Sequence, residues 1–172
     1  MRDLRQKVLD DSNEVKRLAA RIPGYGGYLQ KEMRRDADKL LRNYLARQLR
    51  EQHKRLGNVS AKLASAGNLK AVGELESATM KLQTIIDKIK TASYGYAGLF
   101  GAVTVQEKAL DALYDFDNNL LASVDTIGQA VTGLVNAVKA QEGLDTAIDG
   151  LHTALDQVAT TWEERAEVIL QT

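Results

Sequence analysis

Apolar positions recur along this chain at the spacing of helices. Leu4, Val8, Val15, Leu18 and Ile22 form one stripe, which Asp11 interrupts. Pro23 forces the preceding residue out of the α region, so the pattern predicts a first helix over 2–21. A second stripe begins with Met33, Ala37, Leu40, Leu41 and Tyr44. It continues through Leu45, Leu49, Gln52, Leu56, Val59, Leu63 and Ala66 at alternating spacings of four and three, the rhythm of coiled-coil-like packing. This predicts a helix over 28–66, about 58 Å long. Gly67 and Asn68 both tolerate the left-handed conformation and fit a helix stop.

A third helix is expected over 73–91, with Leu75, Leu82, Ile86 and Ile89 inward. Residues 69–73 read as a tight connection or a short helical piece. Thr104-Val105-Gln106-Glu107 matches a capping box and opens a fourth helix over 105–140. Its stripe is Leu113, Phe116, Leu120, Val124, Ile127, Val131, Leu134 and Val138. The stripe resumes about one residue out of register as Leu144, Ile148, Leu151, Leu155, Val158, Trp162 and Ile169. That shift favours a break at Gly143 and a fifth helix over 144–170; one continuous helix is the alternative. The expected fold is all-α, a single-domain antiparallel bundle of four to five long helices.

Two glycine-aromatic segments stand outside these stripes: Ile22-Pro23-Gly24-Tyr25-Gly26-Gly27-Tyr28 and Tyr94-Gly95-Tyr96-Ala97-Gly98-Leu99-Phe100-Gly101. If short connections make consecutive helices antiparallel, chain reversal at Gly67-Asn68 brings both segments to one end of the bundle. The second helix then exceeds the third by about 22 Å, so it overhangs or breaks near Gly57-Asn58. Tyr25, Tyr28, Tyr94, Tyr96 and Phe100 are candidates for partner binding, because exposed aromatic rings anchor interfaces. A buried aromatic plug that closes helix ends is the competing use of the same residues.

Charge sharpens the picture. The chain is formally neutral. Residues 1–56 nevertheless hold fifteen Lys/Arg against eight Asp/Glu, and residues 57–172 hold the reverse. The segregation predicts either a basic helix lying beside acidic ones or an exposed basic face for lipid or nucleic acid. The candidates for that face are Arg34, Arg35, Arg42, Arg47, Arg50, Lys54 and Arg55, together with Lys39. Asp38 with Arg42 and Glu51 with Arg55 are spaced as surface ion pairs. No aromatics interleave these arginines, which argues against nucleic acid.

Little else suggests chemistry. Cysteine is absent, which excludes disulfides and thiolate metal sites. His53 and His152 sit in no metal-ligand pattern and are expected to be solvated. Asp111, Asp115, Asp117 and Asp125 are expected to form a solvated acidic face. A calcium loop there would need a central glycine and a closing glutamate. No cofactor, metal or small-molecule substrate is implied, and the expected protein is not an enzyme. No run approaches ~18 apolar residues, and the start lacks the apolar core of a secretory signal, so a cytoplasmic location is expected.

Ile22-Pro23-Gly24-Tyr25, the run from Lys31 to Arg42, and Ala92-Ser93-Tyr94-Gly95-Tyr96-Ala97-Gly98-Leu99-Phe100 resemble a bacterial family of uncharacterised all-helical proteins. Some of these accompany membrane-scaffold proteins of the SPFH (band-seven) class. The resemblance spans about residues 20–120 and implies a membrane-adjacent adaptor, without any site residues. The functional expectation is therefore a non-enzymatic scaffold that presents helix faces and its aromatic loops to a protein partner or to itself. The alternative is an anionic-surface binder, in peripheral contact with a membrane.

Overall fold

The computed structural model describes residues 4–28, 33–92 and 107–170. Among these residues there are five helices: α1 (Leu4–Arg21), α2 (Arg34–Ser65), α3 (Leu69–Thr91), α4 (Glu107–Ala140) and α5 (Leu144–Leu170). The chain is an all-α bundle, as its periodicity predicts.

The turn after α2 is built as expected from Gly67 and Asn68. Gly67 sits at φ +76°. Its N–H donates to the Ala64 carbonyl, and the Asn68 N–H reaches back to Leu63, so the last carbonyls of α2 are satisfied. The Asn68 side chain then accepts from the Ala71 N–H and caps α3. α3 therefore starts at Leu69, four residues before the expected position, with Gly73 inside it. No heavy atom lies within 4 Å of where a Gly73 side chain would begin, so nothing there forces a break. α2 is likewise unbroken at Gly57-Asn58. The break between α4 and α5 occurs where the stripe changes register, with Gln141 at φ 58° and Gly143 at φ 69°.

Helix directions follow from cross-helix bonds. Lys81 with Asp156 and Lys88 with Glu163 each join residues 75 apart. α3 and α5 thus run parallel. Since each belongs to a tight hairpin, α2 and α4 run parallel too. The bundle is two helical hairpins side by side: α2 packs on α3 and α4, α5 packs on α3 and α4, and α2 and α5 occupy opposite corners. The core follows the predicted stripes, with Leu45, Leu49, Leu56, Leu75, Leu82, Leu120, Ile127, Val131, Leu151, Leu155 and Val158 buried.

α1 lies against α4 on the outside of this frame. The Glu14 carboxylate accepts from Asn118, and Arg21 grips Asp125 through two bonds of 2.7 and 2.8 Å; both links span 104 residues. α1 is therefore parallel to α4, and hence to α2. This corrects the expectation that α1 and α2 are antiparallel. Residues 22–28 are not a simple turn: they lead back along α4 from the level of Asp125 to that of Tyr114, about 16 Å of helix. Seven extended residues can cover that distance. The return path is tight. Gly27, at φ +79°, leaves 2.8 Å between a side-chain Cβ and the Tyr114 hydroxyl, so only glycine fits there.

Candidate functional site

Five charged side chains converge inside the bundle, at the end where α2 and α4 begin and α5 ends. Arg165, Asp117 and Asp38 are 0%, 0% and 1% exposed, and Arg34 and Arg42 are buried beside them. The sequence places three of them on core faces. Asp117 follows Leu113 and precedes Leu120, Arg165 lies between Trp162 and Ile169, and Asp38 lies three residues before Leu41. Each therefore occupies a position that the helical period turns inward.

Arg165 is the hub. Its Nε donates to Asp117 Oδ1 at 2.6 Å, and its Nη2 donates to Asp38 Oδ1 at 2.9 Å and to the Tyr28 hydroxyl at 3.1 Å. The guanidinium also lies 5.2 Å from the centre of the Trp162 ring. The Tyr28 hydroxyl donates to Asp117 Oδ2 at 2.7 Å. Asp38 takes a second cation, since Arg42 Nε donates to its Oδ2 at 2.7 Å. Arg42 also donates to the Lys90 carbonyl near the end of α3. The Tyr28 backbone is held on both sides: its N–H donates to the Tyr114 hydroxyl at 2.6 Å, and its carbonyl accepts from Arg34 Nε at 2.8 Å. The Tyr25 and Tyr28 rings meet edge to face, and Tyr28 lies against Tyr114. One network thus ties α2, α3, α4, α5 and the 22–28 segment together.

Its electrostatics follow from burial. Desolvation raises the Asp117 carboxyl above the ordinary aspartate value of 3.8, against the pull of Arg165 and the Tyr28 hydroxyl. Burial also pushes the Tyr25 and Tyr28 hydroxyls up, so they stay protonated. Because the folded pKa of Asp117 exceeds the unfolded one, folding takes up a proton between the two. Its contribution to stability is fully present below 3.8 and is lost as pH rises through the raised folded value. A carbon-detected carboxyl titration, assigned with Asp117→Asn, is expected to show a midpoint above 3.8. A midpoint at or below 3.8 contradicts this.

Several expected site residues are placed differently. Tyr25 and Tyr28 are buried, in the manner of a plug, and present no ring to a partner. Tyr94, Tyr96 and Phe100 lie outside the described residues, as do residues 104–106 of the capping box and the expected meeting of the two aromatic segments. Arg34 and Arg42 are buried in the network and leave the basic face. Arg55 turns toward α4, bonding Gln52 and Thr132, and does not pair with Glu51. The aspartate row of α4 is not uniformly solvated: Asp115 and Asp125 are exposed, while Asp117 is fully buried. Asp38 and Arg42 do pair, but inside the protein.

Arg35, Lys39, Arg47, Arg50 and Lys54 remain exposed along the outward side of α2. Arg47 lies over the Tyr44 ring. Among the described residues, none of the five forms an ion pair. The acidic surface is elsewhere: Asp145, Asp149, Asp156, Glu163, Glu164 and Glu167 are exposed on α5, which holds no lysine and a single arginine, the buried Arg165. Both features of the charge pattern are present: Arg21 pairs with Asp125 of α4, while the outward cations of α2 stand at the corner opposite the acidic α5.

Among the described residues, no group of three His, Cys, Asp or Glu is placed to hold a metal ion. No described helix is long and apolar enough to cross a membrane. No protein-family model, curated protein or solved structure matches the chain. The bacterial resemblance therefore rests on the quoted residues alone.

Proposed function

We propose that this chain is a non-enzymatic helical interaction module whose outward α2 face binds an acidic protein surface. The carrying observation is the stripe Arg35, Lys39, Arg47, Arg50 and Lys54: five exposed cations without an ion-pair partner among the described residues. The interior supports the same reading. The convergent titratable groups are buried and bonded to one another, which leaves them no access to a substrate.

The composition of the face favours protein over lipid. The bulky apolar residues of α2, Leu41, Leu45, Leu49 and Leu56, are buried in the core on its other side. A helix adsorbed to a membrane inserts such residues into the headgroup boundary. The α2 stripe offers charge alone, with Asp36 and Glu51 set among the cations.

Immobilised poly-glutamate serves as a stand-in for an acidic partner. Dilute protein is expected to be retained at low salt and released as ionic strength rises. Arg47→Glu, Arg50→Glu and Lys54→Glu together should weaken retention by about tenfold or more without loss of helicity. Retention that ignores salt or survives the triple substitution overturns the reading. Preference for anionic vesicles over poly-glutamate would transfer the face to a membrane.

A further inference from the structure

We infer that the α2 stripe also docks on the α5 ridge of a second copy of this chain, so that copies associate in an open series. This rests on the reading of α2 as the contact face and adds a specific occupant.

The two faces are complementary and comparably long. Lys39 to Lys54 spans about 22 Å of helix, and Asp145 to Glu167 about 33 Å. On α5, lysines of α3 pair with Asp145, Asp156 and Glu163. Asp149, Glu164 and Glu167 form no ion pair among the described residues, although all three are exposed. Within one molecule the stripe cannot reach them, because α2 and α5 stand at opposite corners with their outer faces turned apart. A second copy can. The chain is formally neutral, so no net repulsion opposes the approach.

The same geometry fixes the kind of assembly. A twofold dimer needs both faces to meet the same partner at once. Faces on opposite sides make a head-to-tail contact that repeats and does not close on itself as a pair. The contact is charge-rich and lacks an apolar centre, so it should be weak and transient.

Sedimentation velocity tests this. At low salt the full chain should sediment faster as concentration rises, beyond the dimer, and should return to monomer at high salt. The triple variant Arg47→Glu/Arg50→Glu/Lys54→Glu makes both faces negative and should be monomeric. The variant Asp149→Lys/Glu164→Lys/Glu167→Lys makes both positive and should also be monomeric. Mixing the two should restore association, a result that general loss of structure would not produce. A wild-type monomer at low salt, association that survives high salt, or a mixture that stays monomeric overturns the inference. Monomer with intact poly-glutamate retention leaves the interaction-module reading standing; loss of both ends it as well.

Discussion

Arg165→Met should destabilise the fold by about 3–5 kcal/mol. Among the described residues, Arg165 is the only cation bonded to Asp117, and it shares Asp38 with Arg42. Its removal leaves a fully buried carboxylate whose one remaining partner among the described residues is the Tyr28 hydroxyl. The loss should shrink in acid, where Asp117 takes up a proton and no longer needs a cation. Denaturant unfolding at two pH values measures both effects. A buried ion pair is costly to form as well as to break, so replacing both members should recover part of the loss. The double variant Arg165→Met/Asp117→Leu is expected to be less destabilised than the sum of the single changes, by about 1–3 kcal/mol. Strict additivity would mean that the two groups do not act as a pair.

Tyr28 is the second sensitive position. Its ring is fully buried between Tyr25 and Tyr114, and its hydroxyl joins Asp117 to Arg165. Tyr28→Phe keeps the ring and should cost about 1–3 kcal/mol, because two buried charged groups lose a partner. Tyr28→Ala removes the ring as well and should cost about 3–5 kcal/mol. The same unfolding measurement separates the two. Equal losses would show that the hydroxyl alone matters. An unaffected phenylalanine variant would show that the network does not depend on it.

Much of the fold was legible because local chemistry specifies it. Pro23 ends α1 by forcing the residue before it out of the α region, and Gly67 closes the first hairpin at a positive φ. The register shift at Gly143 marks the second turn. α3 starts four residues before the expected position and carries Gly73 within it. One glycine in an exposed helix costs only about 1 kcal/mol, which the packing of α3 outweighs. The direction of α2 was illegible for a different reason. Periodicity shows which face of a helix is inward but not which way the chain approaches it, and the 22–28 return path leaves no repeating pattern.

The buried network was half visible. Asp117 and Arg165 stand at positions of the α4 and α5 stripes that the helical period assigns to the core. A charge in such a position reads as an interruption until its partner is known, and here the partners lie 48 and 127 residues away. Asp38 and Arg42 were recognisable as a pair from their spacing, but their burial depends on α5. Conversely, composition alone does not separate the basic residues of α2 into inward and outward sets. The structure divides them into Arg34 and Arg42, which hold the interior, and Arg35, Arg47, Arg50 and Lys54, which face outward.

On the proposed reading, the interior is a lock and the α2 surface is the working face. The most direct check compares two variants for retention on poly-glutamate, well below their melting temperatures. Arg47→Glu/Arg50→Glu/Lys54→Glu should keep wild-type stability and lose retention, while Tyr28→Phe should lose stability and keep retention. The reverse pattern, in which the buried substitution abolishes binding and the surface substitutions do not, would place the function in the interior and contradict the assignment.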